Sequence, residues 1–563
     1  MNGALRWWHL FAAWLATFFA FAAVAHGNLE TTDAGITMVA ARNLGQRGDS
    51  GIRRADQGGQ LLGEQLAAEY IRSGACGKIG VNGIAYTWFP MGHVWLLVPF
   101  TVAGDALDRA WPSVANDFRA RVAPGLSDAQ LGSSLEYVQG NPVLTQGLIS
   151  LLVPASCMAT TLLLLLLLGR VLGANSRDAA IAALAIVLAT QCFSFGRETL
   201  SDGPGLTALL GALVAVVAVH QGRGTLFTSC AGGFAAGAAV LLRYQNALLL
   251  AALAIALALA CHRQRRWRDA LAFALGGLPA LLLLLAVNDA RFGSVFDTGY
   301  PAADAWLVEP MWLGALKILF GAGRGVAWFS PLVWLALPLA LSRRSTPRLR
   351  WLGLVMFLVP LGFFALATGW QGGQCWAARY VTHGLVAWLA LTLPQTRPWR
   401  RWPKAWIALL CAGLFVNATS VVAPVRGVLQ LASQAVEATG AVATDAHDLA
   451  GWQPRYTPLL ANWRYAAASC VGGFEGENGE PRHGSAHTIE ALFGIAAKTE
   501  LQAFAPMRWE DRCGRHLWWR FWGDVLGCSS LWLLLPTLLL AAAAAWLARP
   551  LCATAPSDSS TPR

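Results

Sequence analysis

Charge is scarce in this sequence: Asp, Glu, Lys and Arg together make up 13% of its 563 residues, about half the share of a water-soluble protein. With 56% hydrophobic residues and a mean hydropathy of +0.47, that shortage excludes a soluble globular chain. No phosphate-binding glycine loop stands out, so the many glycines read as helix-packing positions. The eleven cysteines show no metal-ligand spacing, which excludes a cysteine-built metal centre. No convincing cleavage site follows the first apolar run, 7–25, so it reads as a retained helix. The chain also lacks an inverted repeat, which argues against two alternating transporter halves.

What is present is a series of apolar runs, each about 17–28 residues long, the length that crosses a hydrocarbon core of roughly 30 Å. The expected class is an all-α polytopic membrane protein. The net charge of +11 is gathered in short loops between runs: HRQRRWRD (262–269), SRRSTPRLR (342–350) and RPWRRWPK (397–404). That distribution is the positive-inside signal rather than a nucleic-acid surface, and it excludes nucleic acid as a partner. The 26 tryptophans suit aromatic belts at the two interfaces.

With the basic loops inside, twelve spans are expected near 7–25, 143–170, 179–195, 203–220, 226–242, 245–261, 270–287, 326–342, 352–368, 380–394, 405–424 and 526–547. Both termini then lie in the cytoplasm, in keeping with Arg6 and Arg549. The pair 226–242 and 245–261 is short enough to form two half-length helices. YTWFPMGHVWLLVPF (86–100) holds two prolines and a histidine, and counting it as a span would reverse the sidedness of every later loop. Residues 86–104 are therefore expected as an interfacial or re-entrant helix in a large external loop, 26–142. That loop has nine Lys/Arg against eleven Asp/Glu, unlike the cytoplasmic loops. A second external segment, 425–525, has the same balance and reads as a small periplasmic domain, followed by a last helix and cytoplasmic tail, 526–563. Cys470 and Cys513 fall in it, where a disulfide is permitted.

Two acidic sites share the external face. If 29–44 is helical, Glu30 and Asp33 stand at i and i+3 on one face. Arg42 lies nine positions past Asp33, on the opposite side. Thr31, Thr32 or Asp33 also suits a helix cap. In FGRETLSDGPGL (195–206), Asp202 precedes Gly203-Pro204, and Ser201 or Asp202 fits an N-cap with proline in the first turn. Lys78, Arg197, Arg243, Arg291, Arg324 and Arg379 fall on the same face. Six cations where positive charge should be poor point to anion recognition, since guanidinium donors suit phosphate oxygens. An aspartate can deprotonate an attacking hydroxyl while arginines stabilise a departing phosphate.

DAGITMVAARNL (33–44), KIGVNGIAYTWFPMGHVWLLVPF (78–100) and RETLSDGPGLTALL (197–210) resemble the motifs of bacterial GT-C glycosyltransferases. These are integral-membrane enzymes that use polyprenyl-phosphate sugars, of the mannosyltransferase and aminoarabinose transferase type. ARFGSVFDTGY (290–300), GRGVAWFSPLVWLALP (323–338), GWQGGQCWAARYVTHG (369–384) and WQPRYTPLLANWR (452–464) are similar to later signatures. The resemblance implies a GT-C fold whose first external loop covers a lipid-donor cavity. It matches Asp33 to the catalytic acid and Asp202 to the second carboxylate, with Lys78, Arg324 and Arg379 on the donor phosphate. Many members carry adjacent acids in the first loop, whereas Ala34 follows Asp33 here. A divalent cation, with His93 or His383 among its ligands, is left open.

The reaction expected is inverting sugar transfer from a polyprenyl-phosphate donor to a glycan, lipid or protein acceptor at the periplasmic face of a bacterial inner membrane, with hexosyl or pentosyl specificity. Catalytic expectations fall on Asp33 and Asp202, and substrate-binding ones on Glu30, Arg42, Lys78, Arg197, Arg243, Arg324 and Arg379. A lipid-sugar flippase and a non-catalytic envelope scaffold are the alternatives.

Overall fold

A computed structural model describes residues 7–29, 31–59, 62–114, 142–301, 307, 309–340, 347–370, 372–373, 375–423, 425–437, 443–470 and 516–551. Glu30, Cys513 and the turn-rich segment 472–484 lie outside the described residues, as do the side-chain surroundings of Cys470.

The protein is a helical membrane bundle. Helix α1 (Trp7–Ala22) is followed by the first large loop, which contains α2 (Thr32–Arg47), α3 (Leu62–Arg72), a two-stranded antiparallel hairpin of β1 (Gly77–Ile79) and β2 (Ala85–Thr87), and α4 (Met91–Ala110). The bundle continues through α5 (Val143–Val171), α6 (Ser176–Ala189), α7 (Asp202–His220), α8 (Leu226–Leu242), α9 (Asn246–Gln264) and α10 (Trp267–Phe292). After α11 (Met311–Phe320), a broken segment made of Val326–Phe329 and Val333–Ala340 leads to α12 (Pro347–Phe364), α13 (Arg379–Thr396) and α14 (Pro403–Val422). Helices α15 (Val425–Glu437), α16 (Ala443–Trp452), α17 (Pro458–Cys470) and α18 (Trp518–Leu526) precede the last, α19 (Leu531–Ala548).

Each of the twelve expected spans overlaps helical residues, the one at 326–342 as a helix broken at 330–332, and among the described residues six helices are individually long and apolar enough to cross a bilayer: α5, α7, α9, α10, α14 and α19. Their short connections make sequence neighbours antiparallel. The starts of α5, α7, α9 and α13 therefore share one end of the bundle with the ends of α8, α10 and α12. At the opposite end Asp178, fully buried, gathers the basic loop after α13. Its carboxylate accepts from Arg400 at 3.0 Å and Trp399 Nε1 at 3.1 Å, and Arg397 Nε lies 3.1 Å away.

The half-length pair expected at 226–261 is corrected. Helix α8 has 17 residues and α9 has 19, about 25 and 28 Å at 1.5 Å per residue. No proline or glycine interrupts α9, so its intrahelical ladder continues through Gln264. Helix α8 lies so close to α10 that a Cβ on Gly233 would sit 1.8 Å from the Phe273 carbonyl oxygen, and one on Gly276 2.1 Å from that of Cys230. Only hydrogen fits at these crossings, the small-residue packing expected of membrane helices.

The apolar segment at 86–104 forms β2 and then α4, displaced toward 91–110, with Pro99 inside the helix. Helix α4 packs on α2 and α5. Its Asp108 caps α5, accepting from Leu144 N at 3.0 Å and from Thr145 N at 3.3 Å. The first and last helices close the bundle against each other. A short main-chain seam reinforces that closure: Gly27 N donates to the His516 carbonyl at 3.0 Å and Trp518 N to that of Ala25 at 2.9 Å.

Candidate active site

At the end of the bundle where α7, α9 and α13 begin, a cavity of about 550 Å³ opens between the first loop and the helices. Asp33, Cys76, Trp88 and His93 reach it from the loop side. Arg243 and Tyr244 come from the α8–α9 turn, Tyr300 from the loop after α10, and Arg379 and Tyr380 from the start of α13.

Asp33 is in the first turn of α2, which begins at Thr32 and not at residue 29 as the sequence reading expects. The reason is the cap: Thr31 is extended, with φ −127° and ψ 149°, and its Oγ1 accepts from Ala34 N at 3.2 Å. Leu29 and Thr31 are both outside α2, so the helix expected from residue 29 starts later, and Glu30 itself lies outside the described residues. Asp33 lines the cavity, and Cys76 Sγ donates to its Oδ1 at 3.5 Å.

The cationic wall is built around Asp202. Its carboxylate, 1% exposed, sits behind the cavity lining in the first turn of α7, where the helix dipole favours negative charge. Arg243 Nη1 lies 2.5 Å from its Oδ2, and Arg379 Nη1 3.6 Å from the same oxygen. Both guanidiniums also stand over the Tyr380 ring, at 5.7 and 5.2 Å. One buried carboxylate thus holds two arginines side by side, and two of their donor atoms, Arg243 Nη2 and Arg379 Nε, are buried without a hydrogen-bond partner. Ser201 occupies the N-cap position of α7 without a side-chain capping bond and faces the cavity.

Arg42, Arg197 and Lys78 are not brought to this wall. Arg42 points away from Asp33, as its spacing requires, and pairs with Asp105 at 2.9 Å, tying α2 to α4. Arg197 is buried among main-chain oxygens, donating to Val24 O at 2.7 Å and Ser420 O at 2.5 Å. Lys78 is half-exposed and pairs with Asp297 at 2.6 Å. Burial raises the Asp297 carboxyl, but the Lys78 hydrogen bond and charge outweigh it and hold the group below its ordinary value. Arg324 supports the wall from behind, its Nη1 donating to the Gly373 carbonyl; Gly373 itself lines the cavity. Arg291 donates to the Thr87 carbonyl and stacks 5.0 Å from Tyr86, fixing the hairpin to the end of α10.

The two histidines separate. His93 lines the cavity, whereas His383 is committed at both nitrogens, 2.6 Å from Asn246 Oδ1 and 2.9 Å from the Asp202 carbonyl oxygen. Among the described residues, no group of three or more His, Cys, Asp or Glu side chains forms a candidate metal cluster.

The aromatic lining is what sequence reasoning missed. Trp88 stacks on Tyr300 with centroids 5.4 Å apart, and Tyr244 meets Tyr300 edge-on at 6.2 Å. Burial, and then the neighbouring tyrosines Tyr380 and Tyr244, push the Tyr300 phenol up and keep it neutral. Tyr244 and Tyr380 each follow an arginine of interest, and Tyr300 ends one of the quoted motifs, so adjacency was the available signal. Cys76 carried none. Chemically the cavity joins a carboxylate, paired guanidiniums and flat apolar faces, which suits an anionic group attached to a sugar-like ring.

Residues 146–288 match the family model described as dolichyl-phosphate-mannose-protein mannosyltransferase, which covers α5 to α10. The match takes in about a quarter of the chain, and it falls on helices that carry Asp202 and lead to Arg243. Among solved structures, ArnT from Cupriavidus metallidurans in the apo state is similar at 12% identity and a TM-score of 0.43, over 96% of this chain and 75% of that one. The same protein bound to undecaprenyl phosphate gives 12% and 0.43, over 89% of this chain and 87% of that one. No curated protein matches the sequence.

Proposed function

We propose that this protein transfers a sugar from a polyprenyl-phosphate donor to an acceptor hydroxyl at the outer face of a bacterial inner membrane, with inversion. The observation that carries the reading is the convergence of Asp33 with Arg243 and Arg379 on one cavity at the end of the bundle where α7, α9 and α13 begin. The matched family model is named for a lipid-phosphate sugar donor, which supports that donor class here.

In this reading Asp33 accepts the proton of the acceptor hydroxyl as its oxygen attacks the anomeric carbon. The bond from that carbon to the phosphate oxygen breaks on the opposite side, and the electron pair leaves with the lipid phosphate. Arg243 and Arg379 take up the charge that develops there. Asp202 is reassigned from catalysis to positioning, because it sits behind the arginines. The aromatic faces of Trp88, Tyr244 and Tyr300 hold the ring. Residues 26–142 and 425–525 form the external layer, with both termini cytoplasmic and residues 526–563 as the last helix and tail.

The test uses purified full-length protein with a short-chain polyprenyl-phosphate mannose, the sugar of the family's name, and mass-spectrometric detection of released lipid phosphate. Asp33→Asn should lower turnover by about 10²–10⁴-fold while donor binding persists. Wild-type-like turnover in Asp33→Asn would remove the assignment of the base. Movement of intact donor across vesicles without sugar transfer would favour the flippase.

A further inference from the structure

The backbone at Cys76 is held where a side chain is disfavoured. Its φ is +60°, in the left-handed region that glycine occupies freely and other residues rarely do. Glycines stand close by at Gly74 and Gly77, yet the strained position itself carries a thiol. Two hydrogen bonds fix that conformation: Thr87 Oγ1 donates to the Cys76 carbonyl at 3.1 Å, and Trp88 N donates to it at 3.3 Å. The same short segment then supplies Trp88, Phe89 and Pro90 to the cavity. Non-glycine residues kept in this region are found where the surrounding structure over-determines them, commonly at functional sites.

The conformation delivers the Cys76 side chain to the cavity, with Sγ 3.5 Å from Asp33 Oδ1. Resting on the reading of Asp33 as the base, we infer that Cys76 is a positioning residue that donates its S–H to the Asp33 carboxylate and sets its orientation and basicity. The thiol is suited to this because it stays protonated: burial, and then the Asp33 charge and hydrogen bond, push it far above its ordinary value. A thiol is also a weak donor. It orients a carboxylate while leaving it basic enough to take a proton.

Arg379, Tyr300 and Cys375 interact electrostatically with the same carboxylate, and further groups share its cavity. Arg243 stands at the α8–α9 turn, and Arg379 and Tyr380 at the start of α13. Tyr244 flanks Arg243, Tyr300 lies in the loop after α10, and His93 is on α4. These groups set the baseline, so the contribution of Cys76 is read as a difference between variants of one residue. Removing a donor to the charged form raises a carboxyl pKa, and a weak hydrogen bond is worth about half a pH unit.

The experiment titrates Asp33 directly, by infrared difference spectroscopy of the full-length protein in lipid nanodiscs. The protonated carboxyl band of Asp33 is assigned by its loss in Asp33→Asn. Cys76→Ala, and Cys76→Gly with its backbone strain relieved, should both raise the Asp33 midpoint by about half a unit, and Cys76→Ser should restore it. In the thiol region, the S–H band absent from Cys76→Ala should move in Asp33→Asn. Equal midpoints in Ala, Gly, Ser and wild type, or an S–H band indifferent to Asp33→Asn, would overturn the inference. None of these readouts needs turnover. Failure here leaves the transferase reading standing, and failure of the mannose assay leaves the titration result intact.

Discussion

Replacing Asp202 with asparagine removes a negative charge shared by two buried cations, Arg243 at 2.5 Å and Arg379 at 3.6 Å. At about 4 Å and an effective dielectric near 20, each such pair is worth roughly 4 kcal/mol of Coulomb attraction before desolvation is counted. Breaking a buried pair by removing one partner costs about 3–5 kcal/mol, because the surviving charge is left buried and unmatched. Asparagine keeps the shape and one acceptor oxygen, so Asp202→Asn should fall near 3 kcal/mol. If the arginines hold the donor phosphate, a bound phosphate replaces the missing carboxylate charge. Undecaprenyl phosphate should therefore bind the variant about tenfold more tightly than wild type, a difference of about 1.4 kcal/mol, and raise its unfolding temperature more. The assay is thermal unfolding of the full-length protein in detergent with increasing undecaprenyl phosphate, repeated for Arg243→Gln and for the double variant. Coupling between positions 202 and 243 should exceed about 1 kcal/mol. Wild-type stability in Asp202→Asn, or equal stabilisation of both proteins by the lipid phosphate, would refute the description of this wall.

The membrane module was legible because hydropathy and loop charge answer to the same physical constraint, the bilayer. All twelve expected spans overlap helical residues, with the one at 326–342 broken in its middle. Side-chain partners were far less legible. Six cations were grouped by sidedness, but sidedness fixes only depth; which of them meets the cavity depends on helix rotation and on the loop carrying it. Arg243 and Arg379 meet it from two separate elements, whereas Arg197 is taken up by Val24 and Ser420 from the ends of distant helices. Lys78 illustrates the same limit: its partner Asp297 lies in the quoted stretch 290–300, and no spacing rule links the two. The offset of Arg42 from Asp33 was predictable because both belong to one helix, where 100° per residue decides the face. The role of Asp202 was not, since a carboxylate at a helix start can cap, catalyse or hold a cation, and only the folded neighbours distinguish these.

Two further perturbations test the frame around the site. Arg197→Lys should prevent stable assembly, because one ammonium cannot span Val24 O, Ser420 O and the His26 ring nitrogen 3.0 Å from Nη2. With each lost charged hydrogen bond costing about 1–3 kcal/mol, the yield of monodisperse protein on size exclusion should collapse, and a wild-type yield would contradict the structural role. The Lys78–Asp297 pair makes a pH-dependent prediction about the loop that carries Tyr300. Asp297 is held below the ordinary carboxylate range, since the Lys78 hydrogen bond outweighs burial. A depressed carboxyl stabilises the fold fully above its unfolded value, and that contribution fades as pH falls through the folded one. The pair should thus be constant from pH 6 to 8 and weaken only under acid, below about pH 4. Because Lys78 is half-exposed, the whole effect is below about 1 kcal/mol and falls further in high salt. Amide exchange at Gly299 and Tyr300 should rise by no more than about fivefold in Asp297→Asn at pH 7, matching wild type at low pH. If exchange instead varied between pH 6 and 8, a group titrating near neutrality would control this loop, and the Lys78–Asp297 pair would not be what holds Tyr300 against Trp88.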